Sequence, residues 1–77
     1  MKKELCVKQI YDDFVEKVIL NETEKQVLDL YIRNESIIKI AEDIPTSTAT
    51  VSRIICELKE KYNKYKKLEI AKLLILN

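Results

Sequence analysis

The chain contains no glycine and a single proline, Pro45. Tight β-hairpin turns take positive φ at one or both central residues, which glycine adopts at no steric cost. A sheet protein built from this sequence would lack the residue its turns depend on. Helices have no such need. Lys, Glu, Leu and Ile are plentiful and suit helices with apolar stripes. The expected fold class is therefore all-α, a small bundle of about five helices.

Seventy-seven residues make one domain. A chain this short buries only about 60% of the surface its unfolded form exposes, so its core is thin. Disulfides or association commonly supplement such cores. Cys6 and Cys56 are a single pair, too few for a secreted disulfide framework. Glu4 and Lys8 interrupt the stretch that a signal peptide would need apolar. Both thiols are read as reduced, as small buried or half-buried residues of a cytoplasmic protein. The most apolar stretch, Leu68 to Leu76, is too short for a membrane span and contains Glu69 and Lys72. Association is the expected aid to stability.

Hydrophobic periodicity divides the chain into elements. Val7, Ile10, Tyr11, Phe14 and Val18 form one stripe, which predicts a first helix over residues 3–19. Asn21 is the predicted N-cap of a second helix, with Glu24 in capping-box position, running to about Arg33. Asn34 tolerates the left-handed conformation and stops it. Ser36 caps a short third helix with Ile37, Ile40, Ala41 and Ile44 on one face, and Pro45 ends it. Thr46 or Ser47 caps a fourth helix from Thr48 to about Tyr62, with Val51, Ile55 and Leu58 inside. Asn63 and Lys64 read as a break, followed by a last helix from about Tyr65 to Leu76. The layout is an extra N-terminal helix (1–19), a core (20–62) and a C-terminal helix (63–77) in one domain.

Two helices around a three- or four-residue turn, the second capped by Ser or Thr, make a helix-turn-helix. From Leu20 to Tyr62 the sequence resembles, without a gap, the LuxR/GerE-type DNA-binding domain. The matching residues are Leu20, Glu24, Val27-Leu28, Leu30, Ser36, Ile40-Ala41-Glu42, Ile44, Ser47, Thr50-Val51, Ile55 and Leu58. Region four of bacterial sigma factors is similar in pattern. Three places depart from the family. Pro45-Thr46 occupies the turn, Asn34 replaces a common glycine, and Ile54 stands where a polar residue is usual and is expected to be partly exposed.

The resemblance implies that the fourth helix enters the major groove of duplex DNA. Thr48, Ala49, Ser52 and Arg53 are then the candidate base contacts. The Arg53 fork can donate twice to guanine, and Ala49 can touch a thymine methyl. Ser36, Lys39, Ser47, Thr50 and Lys59 are the candidate phosphate contacts, which orient without specifying. Net charge is only +1, but its distribution is uneven. Residues 1–50 carry seven basic and ten acidic side chains, and residues 51–77 carry seven and three, an asymmetry that suits a face aimed at an anion.

Catalysis has little support. The chain has no histidine, Asp12, Asp13 and Glu16 lie on a polar helix face, and neither cysteine has an evident activating partner. No enzyme activity, cofactor, metal site or small-molecule ligand is expected. The last helix is apolar on more than one side, and the family's short modules pair through theirs. Leu68, Ala71, Leu73, Leu74 and Leu76 are the implied dimerisation residues, with Lys64, Lys66 and Lys67 then near the DNA backbone. The expected function is sequence-specific binding of double-stranded DNA by a homodimeric transcription regulator of bacterial or phage origin. Two rivals stand beside it: a protein–protein module that binds RNA polymerase or another factor, and a phage DNA-packaging or recombination accessory.

Overall fold

Helix ends in this chain follow from side chains that satisfy the free backbone groups of each terminus. Asn21 Oδ1 accepts from the Glu24 backbone N–H at 2.7 Å, and Glu24 Oε1 accepts from the Asn21 N–H at 3.2 Å. Ser36 Oγ accepts from Lys39 N–H at 3.2 Å, and Ser47 Oγ from Thr50 N–H at 3.1 Å. Asn34 takes φ of 70°. The Glu35 N–H then reaches the Leu30 carbonyl and the Asn34 N–H the Tyr31 carbonyl, the paired bonds of a Schellman stop. After the next helix, Pro45 has no N–H to give, so one bond closes the turn, from Thr46 N–H to the Ala41 carbonyl.

The computed structural model describes residues 2–76, and of residues 70–76 only the backbone. The described residues form α1 (Lys2–Leu5), α2 (Lys8–Lys17), α3 (Glu22–Ile32), α4 (Ile37–Asp43) and α5 (Thr48–Leu76), with no strand. The fold is the expected all-α bundle, but the helices are divided differently at both ends.

At the N-terminus the single helix expected over 3–19 is two helices, broken at Cys6 and Val7, and α2 ends at Lys17. Val7 is extended, with φ −79° and ψ 117°. Leu5 and Phe14 are both fully buried. Nine residues apart, they would stand on opposite faces of one straight helix, at about 100° per residue. The break turns both into the same core. Val7, expected in the buried stripe, is left 50% exposed. At the C-terminus no break occurs at Asn63 and Lys64, and α5 runs unbroken for 29 residues. Asparagine costs a helix interior under about 1 kcal/mol, and the buried stripe Val51, Ile55, Leu58 and Tyr62 continues past it.

Phe14, Leu28, Ile40, Val27, Val51 and Leu58 form the dry centre. Phe14 meets Tyr62 and Tyr65 edge-on, at centroid distances of 5.5 and 5.4 Å. Ile54, expected to be partly exposed, is buried in this core. Both cysteines, expected to be buried or half-buried, are free and exposed. The Cys6 thiol donates to the Ile32 carbonyl oxygen at 3.7 Å. Among the described residues no helix is long and apolar enough to cross a membrane.

Polar links tie α2, α3 and α5 together. The Tyr11 hydroxyl donates to Asp29, and the Tyr65 hydroxyl donates to Asp13. Burial, reinforced by these carboxylates, pushes both phenols up to about 12, so they remain donors at neutral pH. Glu24 links the α3 cap to α5, because Lys61 Nζ lies 2.7 Å from its Oε2.

Two stability predictions follow from this packing. Burial raises the Glu24 carboxyl, but the Lys61 hydrogen bond, the Asn21 N–H and the Lys61 charge outweigh it and hold the group below its ordinary value. A depressed native value stabilises the fold above the ordinary carboxylate range, from about pH 5 upward. That contribution is lost as pH falls through the native value. Thermal melts should show Glu24→Gln less stable than the unmodified chain at neutral pH, with the gap closing in acid. A gap independent of pH would contradict the pairing. Ala41 is buried where α4 meets α3 and α5. Ala41→Leu should cost about 1–3 kcal/mol by overpacking and lower the melting temperature by at least about 5 °C. An unchanged melting temperature would show that the crossing has spare room.

Candidate nucleic-acid interface

The turn Ile44–Ser47 joins α4 to α5, and α4 packs against both α3 and α5. Ile40 of α4 and Val51 of α5 are fully buried, and the two helices pack against each other. That packing fixes which face of α5 points outward. Thr48, Ala49, Ser52, Arg53, Cys56 and Glu57 are all exposed along its first turns. The four candidate base contacts, Thr48, Ala49, Ser52 and Arg53, thus share one solvent-facing surface. Arg53 has no ion-pair partner among the described residues, so its planar fork is available.

The candidate phosphate contacts divide into three situations. Ser47 and Thr50 are bonded to each other, Oγ to Oγ1 at 2.9 Å, while Ser47 also caps the helix. Two hydroxyls carry two hydrogens, so one remains for an outside acceptor at the positive end of the helix. Ser36 serves as the α4 cap, and Lys39 pairs loosely with Asp43 at 3.4 Å on the exposed surface. Such a pair is worth little in water and yields readily to a stronger anion. Lys59 is exposed on α5 and has no ion pair among the described residues.

The implied dimerisation residues fall elsewhere. Leu68 is on α5 and 65% exposed. Ala71, Leu73, Leu74 and Leu76 lie outside the residues whose side chains are described. Of the lysines ahead of them, Lys66 is engaged, 3.3 Å from Glu4 and over the Tyr62 ring. Two exposed features escaped the periodicity reading. Ile37 was counted on the inner face of its helix, yet it and Ile38 are exposed on α4. Ile19, read as the tail of the first helix, stands almost wholly in water in the α2–α3 link. Only the position of α2 against α5 reveals that Ile19 and Leu68 line one groove.

No protein-family model, curated protein or solved structure matches the chain.

Proposed function

We propose that the chain binds double-stranded DNA in a sequence-specific manner and acts in the cytoplasm as a homodimeric transcription regulator of the LuxR/GerE type. The observation that carries this reading is the exposed start of α5. Small and hydroxylated side chains there let a backbone approach, and Arg53, without an ion pair among the described residues, projects from the same face. The cap hydroxyls of Ser47 and Thr50, the α4 cap with Lys39, and Lys59 flank that face with donors suited to phosphates. A basic C-terminal half on an acidic N-terminal half orients the molecule toward such a polyanion.

Arg53→Ala is expected to weaken binding to a duplex enriched from a random pool by about 1–3 kcal/mol and to relax preference at one base pair per half-site. Unchanged affinity and an unchanged enriched sequence would remove Arg53 from the reading.

The dimer is proposed to form through the end of α5. An unbroken helix of 29 residues is a rod about 43 Å long at 1.5 Å per residue, so the reading face and the pairing end move as one body. Two-fold pairing would set the reading faces about 34 Å apart, on half-sites about 10 base pairs apart. Sedimentation should give a dimer for the unmodified chain and a monomer for the double variant Leu74→Asp, Leu76→Asp. A monomer in both cases, with or without DNA, would exclude this assembly.

The exposure of Ile37 and Ile38 favours a second reading, a module that docks on RNA polymerase or another factor. Affinity for DNA that stays flat as salt rises would favour it, because phosphate contacts release counterions.

A further inference from the structure

A groove of about 570 Å³ lies between the end of α2 and the second half of α5. Val18, Ile19, Tyr65 and Leu68 supply its apolar surface, and Lys17, Lys61, Lys64 and Glu69 supply its polar rim. Ile19 is 94% exposed and Leu68 is 65% exposed, so two large apolar side chains face water side by side. Scattered exposed apolar residues are ordinary, but a pair lining one groove with a polar rim has the form of a docking site.

The rim chemistry selects the occupant. An ammonium carries three N–H donors. Lys61 uses two, to the Ile19 carbonyl at 3.4 Å and to Glu24 at 2.7 Å. Lys17 uses two, to Asp13 at 3.2 Å and Glu69 at 2.9 Å. Lys64 uses none among the described residues. Lys17 and Lys61 are already balanced by these carboxylates, so Lys64 is the rim cation, among the described residues, left for a carboxylate arriving at the rim. The same stretch of α5 from a second copy of this chain is a poor match. Its own residues 61–72 hold five lysines and one glutamate, which would set like charge against like. A nucleic-acid backbone would satisfy the ammoniums but leave Ile19 and Leu68 in water.

We propose that this groove binds an amphipathic helix of a partner protein, one whose apolar stripe covers Ile19 and Leu68 and whose flanking acidic side chain meets Lys64. The binding mode is helix-in-groove, with anchors at i, i+3 or i+4, and i+7. The site lies apart from the start of α5 and does not rest on the DNA reading. It would tether the domain to a protein while the α5 start remains free.

Two fluorescein-labelled synthetic helical peptides test it. They share one leucine repeat and differ only in flanking glutamates or flanking lysines. Anisotropy titrations of the full chain should give at least about tenfold tighter binding of the glutamate peptide, a factor that corresponds to 1.4 kcal/mol. Ile19→Asp and Leu68→Asp should each weaken that binding by about tenfold or more. Because both side chains are exposed, their thermal melts should be unchanged. Lys64→Glu should narrow the difference between the peptides. Equal binding of the two peptides, binding of neither, or full affinity in Ile19→Asp would overturn the proposal. So would loss of self-association in Ile19→Asp, which would seat a second copy in the groove, or loss of duplex affinity, which would seat DNA there.

Discussion

A single long helix whose buried stripe must be covered along its length governs this structure. Val51, Ile54, Ile55, Leu58 and Tyr62 face inward on α5, and Tyr65 extends the line half-buried. No one partner spans it. α3 and α4 cover the first half, and Phe14 of α2 covers the second by meeting Tyr62 and Tyr65. Burial of a Phe-sized side chain is worth about 1.5–3 kcal/mol relative to exposure. In a domain whose net stability is only about 0.05–0.15 kcal/mol per residue, such a contact is a large share of the whole. The N-terminal residues are therefore part of the core, although the helix-turn-helix pattern lies entirely outside them.

The same constraint separates the molecule's surfaces. With α4 and α3 against its inner side, the start of α5 exposes Thr48, Ala49, Ser52 and Arg53. With α2 against its second half, α5 leaves Leu68 beside Ile19, in a groove rimmed by lysines. Two surfaces of different chemistry thus lie along one helix, one small and polar around Arg53, the other apolar with a rim of lysines and Glu69.

What was legible in the sequence was mostly local. Asn21 with Glu24, Ser36, Ser47 and Asn34 mark helix ends by bonds to nearby backbone, and each sits where its chemistry placed it. The outward face of the α5 start also followed from spacing, because Val51, Ile55 and Leu58 fix the inner side and so the outer one. What was not legible depended on tertiary geometry. The break at Cys6 and Val7 carries no glycine or proline signal, and it exists because Leu5 and Phe14 must enter one core from positions half a turn apart. Asn63 and Lys64 read as a stop, yet Tyr62 and Tyr65 on either side pack on Phe14 and carry the helix through. Ile54 is buried and Ile19 exposed for reasons that only the placement of neighbouring helices supplies.

The central claim is that the outer face at the start of α5 meets duplex DNA. The most direct measurement is an amide chemical-shift titration of isotope-labelled chain with a duplex enriched from a random pool. The account predicts changes concentrated at residues 36–39 and 47–59, smaller ones at residues 64–67, and little effect at residues 17–19. A duplex that binds while residues 48–56 stay unperturbed, or that perturbs only the groove between α2 and α5, would contradict it.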